Sequence, residues 1–362
     1  LRRGYTRTDT YLLIQGYQGG FRWQGHMQAA NCIVRFYQAG HVWLMQNTSR
    51  HSYHDKNGLM ISDGANDTPM QPIAEQVALA DFSSVALTVT RMTNYHHTDW
   101  SRHLFWSKSG DGFLVVIDRV AFKADGPYSL TCSWRTPGYA ELHGRHWHSD
   151  QGQHRFTLVS GSEVAGTCEL DTDQGACSPY VLRQRLAGDH LAGDEASFQN
   201  LLTVRPLNNA EAYNLQSLDD HSALVRLAGK PHTWCSADIH PDLVWLPNAS
   251  AKASSALVDA NSLVFTGITE LTLPNLSLQS SEPISVSLDL ESNRITLKSN
   301  IAVEITFETI GKSKTFSSSG SYNLEEQISL SQLFCAALAK VIGSWFAAIP
   351  SVASRLGPAQ RS

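Results

Sequence analysis

From residue 1 to about residue 310 the chain never holds a helical hydrophobic period for any length. It is cut at short intervals by Gly, Pro, Asn, Asp and Ser, and short apolar or alternating runs lie between the cuts. Segments 32–37, 41–45, 85–89, 103–106, 112–120, 128–134 and 155–159 are of this kind. β-branched and aromatic residues in such runs suit strands, and turn signals roughly every ten residues suit sheets packed face to face better than alternating strands and helices. The pattern predicts an all-β chain whose main part is a large antiparallel β-sandwich, or supersandwich.

Composition shifts near Gly229-Lys230-Pro231: aromatic and His-rich text precedes it, and Ser/Ala/Leu-rich text follows Cys235. We therefore expect a sandwich over residues 1–232 and a small β domain over 233–315. The second contains the clearest hairpin: Ile284, Val286, Leu288 and Leu290 alternate with polar residues, Ser292-Asn293 turns, and the alternation resumes at Ile295 and Leu297, then at Ile301, Val303, Ile305 and Phe307. Ser317 to Ser321 reads as a linker, and 324–349 as an amphipathic helix ended by Pro350, so residues 316–362 are expected to be linker and C-terminal helix. Its most apolar part, 333–349, is short for a membrane span and contains Lys340.

With 28 basic and 33 acidic residues the formal charge is −5, spread without long runs. That leaves no electrostatic footprint for nucleic acid, and a polyanionic ligand would need a local basic cluster. Six cysteines are too few for a disulfide scaffold and lack paired CxxC spacing; Cys168 and Cys177 flank a turn and could bridge in an oxidising compartment or stay free. The chain opens Leu1-Arg2-Arg3-Gly4-Tyr5, with neither an initiator Met nor a signal h-region, and is read as a fragment whose targeting signal would lie upstream. No nucleophile elbow, P-loop, HExxH or dinucleotide fingerprint is present. Three histidines in His143-Gly144-Arg145-His146-Trp147-His148 could be metal ligands, but surface polar positions are the plainer reading; Tyr95-His96-His97 reads as a solvated loop.

Three stretches fall in a telling order. The first is Gly19-Gly20-Phe21-Arg22-Trp23-Gln24-Gly25-His26-Met27-Gln28-Ala29-Ala30 with the strand after it. The second is Lys56-Asn57-Gly58-Leu59-Met60-Ile61-Ser62-Asp63-Gly64. The third runs Asp99-Trp100-Ser101-Arg102-His103-Leu104-Phe105-Trp106, then Gly112-Phe113-Leu114-Val115-Val116-Ile117-Asp118. Together, over residues 15 to 160, they resemble the sandwich part of the heparinase II/III-like polysaccharide lyases.

The resemblance implies an exported enzyme, secreted, periplasmic or at the cell surface, in which a helical toroid absent from this chain stacks on the sandwich. An acidic polysaccharide, a glycosaminoglycan or alginate, would lie between them. It implies β-elimination at a uronic acid, with most catalytic groups on the toroid and one histidine from a sandwich loop. His26 matches that histidine; the other reading of it is a hydrogen-bonded loop residue. Gln28, Ala30 and Lys56 stand where the family has a second His, an Asp and a further His. A zinc site needs about four N, S or O donors, so no metal is expected there and no cofactor is implied. Arg22, Trp23, Gln28, Tyr53, His54 and Lys56 are the candidate substrate-binding residues, Trp23 and Tyr53 by stacking on sugar and Arg22 and Lys56 by charge. Trp100 and Trp134 are expected in the core. A glycan-binding relative without activity, or a structural sandwich of a cell-surface protein, are the rival readings.

Overall fold

The computed structural model describes residues 1–4, 6–7, 9–15, 31–46, 56–64, 74–110, 112–161, 166–170, 178–209, 213–227, 231–240, 249–273, 276–292, 294–301, 303–307, 312–316 and 319–323. All regular structure among them is antiparallel strand, and the expected C-terminal helix lies outside the described residues. The strands form three layers.

The middle layer is an eight-stranded sheet in the order β10 (Ala140–His143), β11 (His146–Gln151), β12 (His154–Ser160), β15 (Glu195–Pro206), β8 (Phe113–Phe122), β7 (Thr98–Ser107), β6 (Val85–Tyr95), β5 (Ala74–Asp81). Strands β7 and β8 are buried on both faces, which explains why their sequences run almost without an exposed polar position. Alternate side chains serve different neighbours. Trp100, Leu104, Trp106, Leu114 and Val116 point into one core. Phe105, Val115 and Ile117 point into another.

The first core is closed by two small sheets. One comprises β1 (Tyr11–Gln15), β2 (Cys32–Gln38) and β3 (His41–Met45). The other has the order β13 (Gly166–Leu170), β14 (Tyr180–His190), β9 (Gly126–Thr136), β4 (Gly58–Ser62). Trp43, Leu59, Leu130 and Trp134 enter from them. Trp100 and Trp134 are fully buried, as expected. Each large apolar side chain sequestered in this way stabilises the fold by roughly 1.5–3 kcal/mol.

The third layer is a ten-stranded sheet that begins with β16 (Tyr213–Ser217), β17 (Ser222–Leu227), β18 (Thr233–Ile239), β19 (Ser250–Val258) and β20 (Ser262–Leu273). It continues through β21 (Leu276–Asp289) to β22 (Arg294–Lys298), with β23 (Val303–Phe307) branching from β21 and carrying β24 (Lys312–Phe316). Ala237, Leu257 and Val264 pack against the middle layer, while Phe265, Val286, Leu288, Ile295 and Leu297 face a core of their own. Position 232 lies between β17 and β18 of this one sheet. The expected hairpin is present, with Val286 opposite Leu297 and Leu288 opposite Ile295. Of the expected linker at 317–321, residues 317 and 318 lie outside the described residues, while 320 and 321 belong to β25 (Gly320–Asn323) on β22, where Tyr322 packs on Phe316 with ring centroids 4.4 Å apart. Serines supply backbone donors and acceptors to a ladder as well as any residue, and one aromatic anchors the strand.

Candidate functional site

The period-two spacing of Trp100 and Arg102 puts both on the face of β7 that meets the small sheets, and the register with β8 sets Asp118 directly opposite Arg102. Both charged side chains are fully buried. The guanidinium meets the carboxylate as a fork: Nε donates to Oδ1 at 2.7 Å and Nη2 to Oδ2 at 2.8 Å, while Trp100 Nε1 donates to the same Oδ1 at 2.8 Å. Trp100 and Trp134 cover it, their rings 5.2 and 5.7 Å from the guanidinium carbon. Burial opposes the charge on Arg102, but the charge and hydrogen bonds of Asp118 outweigh that and raise its pKa.

The remaining nitrogen reaches away from the ion pair. Arg102 Nη1 donates to the carbonyl of Asn31 at 3.0 Å and to that of Asn57 at 2.8 Å. Asn31 immediately precedes β2 and Asn57 immediately precedes β4. Segments 16–30 and 47–55 therefore return to the scaffold at one nitrogen atom. Each Asn is itself fastened. Asn31 adopts a left-handed backbone (φ 61°) and accepts a hydrogen bond from the Thr90 hydroxyl. Asn57 donates to the Ile33 carbonyl at 2.9 Å and accepts from the Arg135 N–H at 2.6 Å, joining β2 to β9. Gly58 follows because no side chain fits there: a Cβ would stand 2.4 Å from Cys32 Sγ.

Of the seven residues nominated from sequence, Arg22, Trp23, His26, Gln28, Tyr53 and His54 lie outside the described residues, in the two segments that end at this tether. Lys56 is described, and at 4% exposure it sits buried at the foot of the second segment. Cys32 and Cys132 line the tether with fully buried thiols; burial pushes Cys32 up to about 12 and Cys132 upward as well, so both stay protonated and unreactive. Among the described residues no group of three or more His, Cys, Asp or Glu side chains is placed to hold a metal ion. Cys168 carries a free thiol that accepts from Trp147 Nε1, and Cys177 lies outside the described residues.

Tyr95-His96-His97, read as a solvated loop, is a two-residue hairpin turn with both histidines left-handed (φ 48° and 56°), and His96 Nδ1 lies 3.7 Å from Asp63. A second polar cluster went unread in the sequence. His103, Arg119, Asp238, Glu195 and His221 meet between the middle layer and the ten-stranded sheet, with Arg119 paired to both Asp238 and Glu195. The available signal was a set of charges inside otherwise apolar strands, which must find partners when buried.

Among solved structures, a heparan sulfate lyase HepC mutant from Pedobacter heparinus matches with a TM-score of 0.50 and 10% identity, over 66% of this chain and 40% of that one. The likeness is one of fold. Heparinase III matches with a TM-score of 0.49 and 13% identity, over 64% of this chain and 40% of that one. The chain thus spans 40% of the length of these two structures. No protein-family model matches the sequence, and no curated protein matches it. Among the described residues no helix is long and apolar enough to cross a membrane.

Proposed function

We propose that this chain forms the β-layered wall of a cleft in an exported lyase that cleaves uronic-acid-containing polysaccharide by β-elimination. The observation that carries the proposal is the tether: one buried guanidinium fastens the ends of both segments that hold the candidate residues. A segment held at its base loses less freedom when it grips a chain of sugars. The layered fold shared with the Pedobacter lyase structure supports the same reading.

In this proposal a base supplied from the helical part takes the C5 proton of the uronate, the C4–O bond breaks, and a C4–C5 double bond forms. The departing oxygen takes up a proton. His26 either neutralises the uronate carboxylate or gives that proton, within the pH range where imidazole serves both roles. Arg22 balances sugar acid groups, Trp23 and Tyr53 stack on sugar faces, and Gln28 and His54 supply hydrogen bonds. Lys56 supports the second segment from beneath.

The test is release of unsaturated uronate, followed by its ultraviolet absorbance, with the longer protein and with this chain alone. Turnover should require the longer protein, and His26→Ala should lower it by about a hundredfold or more while polysaccharide binding persists. Full turnover by His26→Ala would remove the role assigned to that histidine. Robust turnover by the chain alone would overturn the division of labour. Gln28 and Ala30, at positions where the family has ligands, favour a second reading, a glycan-binding relative without turnover. Binding with no unsaturated product from the longer protein would establish it.

A further inference from the structure

Residues 1–50 contain six arginines and a single acidic residue, Asp9, in a chain whose formal charge is −5. Positive charge is therefore gathered into the part of the molecule that builds the three-stranded sheet and the two segments that return to the tether. Arg2 bridges to Tyr11 on the free side of β1, so residues 1–3 extend that sheet: the Leu12 N–H donates to the Leu1 carbonyl and the Arg3 N–H to the Thr10 carbonyl, both at 2.9 Å. Asp9 is taken up in the turn between them, where its carboxylate accepts from the Thr6 N–H at 2.6 Å.

The register sorts side chains between the two faces of this sheet. Leu12, Phe36 and Leu44 stand in line across β1, β2 and β3 and enter the first core. The neighbouring rows point the other way: one runs Arg2, Tyr11, Tyr37, and the other Leu13, Arg35, Met45. These rows meet solvent, with Leu13 51% exposed and both Arg2 and Arg35 exposed.

The outer rows combine aromatic faces with positive charge. Tyr11 and Tyr37 stack with ring centroids 5.2 Å apart and planes at 18°, and the Arg2 guanidinium carbon lies 5.8 Å from the Tyr11 centroid. The Tyr37 hydroxyl donates to the Arg7 carbonyl, which fastens the pair to the turn. Arg35 reaches Tyr11 Oη at 3.4 Å and Met45 Sδ at 3.8 Å, long contacts that leave most of its fork unspent, and among the described residues no carboxylate pairs with it. An exposed guanidinium without an acid, beside tyrosine rings, is complemented by a sugar that carries a carboxylate or sulfate and lays its apolar face on an aromatic ring.

The row of Leu13, Arg35 and Met45 lies at the end of the sheet where β1 leads into segment 16–30, β2 follows from that segment, and β3 leads into segment 47–55. We propose that this outer face is a second stretch of the polysaccharide track, where an anionic sugar chain running on from the cleft is held by Arg35 and Arg2 and rests on Tyr37 and Tyr11. The proposal rests on the lyase reading and adds to it a subsite away from the reacting sugar, so that long chains are gripped better than short ones. Charge selects the occupant, because a neutral glycan would leave Arg35 unmatched.

Binding by this chain, measured by calorimetry, is the readout. The probes are heparan sulfate and alginate, with neutral dextran and a single-stranded oligonucleotide for comparison. Wild type should bind at least one of the two acidic polysaccharides, more weakly as salt is added, and should not bind dextran. Arg35→Gln, a change at an exposed position, should weaken that binding by about tenfold or more at an unchanged Tm, and Arg35→Lys, which restores the charge without the fork, should recover part of the loss. Equal binding by Arg35→Gln and wild type, no binding of either acidic polysaccharide, or tighter binding of the oligonucleotide than of both would overturn the proposal. Arg35-dependent binding with no unsaturated product from the longer protein would remove the lyase reading and keep this surface. Turnover by the longer protein, with binding unchanged in Arg35→Gln, would do the reverse.

Discussion

Arg102 shows how much one side chain can hold. Its fork to Asp118, two indole faces and two backbone carbonyls use nearly everything a guanidinium offers. Removing one member of such a pair leaves the other charged, buried and unmatched, at about 3–5 kcal/mol. Arg102→Ala and Asp118→Ala should each fall in that range by urea unfolding. Arg102→Met/Asp118→Leu should cost clearly less than their sum, because no bare charge remains. A double variant whose loss equals the sum of the single losses would mean that the pair does not act as a unit. The sequence displayed Trp100, Arg102 and Asp118 as a strand pattern and Trp134 as core. It did not display that Arg102 looks down on Asn31 and Asn57, because those meetings span 71 and 45 positions of chain.

At the scale of elements, the β6–β7 turn carries a measurable burden. Two-residue hairpin turns with both centres left-handed favour Asn-Gly, since a Cβ in that conformation costs roughly 1–2 kcal/mol. This one uses His96-His97. His96 gains a contact with Asp63, whereas His97 is exposed, and its backbone carbonyl accepts from the Lys123 N–H. His97→Gly keeps that bond and relieves the backbone, so it should raise stability by about 0.5–1 kcal/mol, seen as a higher Tm. A lower Tm would show that the imidazole itself contributes. The hairpin of β21 and β22 was legible because its alternation is long and apolar. Strand β25 was not, because four residues with Tyr322 as their only sizeable apolar side chain look like a serine linker until the Phe316 ring is beside them.

Across the whole molecule, the seam between the middle layer and the ten-stranded sheet combines an apolar core with polar contacts, such as Ser285 Oγ donating to the Leu79 carbonyl at 3.1 Å, and His103 is buried in it. That imidazole is fully buried, with Nδ1 2.8 Å from Ser255 Oγ on β19, Nε2 3.2 Å from Ser101 Oγ and 3.6 Å from Asp238. Burial dominates the nearby Asp238 charge and holds its pKa down to about 4, against 6.5 for a free histidine. Between those two values the unfolded chain binds a proton that the folded chain refuses, so stability rises with pH through the window and is complete above about 6.5. Acidification from there toward pH 4 should remove about 3 kcal/mol, at roughly 1.4 kcal/mol per pH unit. His148 shifts in the same direction, but it is half-buried and solvent screens it, so His148→Gln should leave most of the slope in place. Hydrogen bonds from Tyr139 and His143 hold the Glu141 carboxyl below its ordinary pKa, as those from Arg155 do for Asp150 and, despite its burial, those from Ser292 do for Asp289. Urea unfolding from about pH 4 to 7 separates the contributions: His103→Gln, which keeps a polar side chain facing Ser255, should flatten the curve. A slope unchanged in that variant would place the proton uptake elsewhere and leave the joint between the layers indifferent to acid.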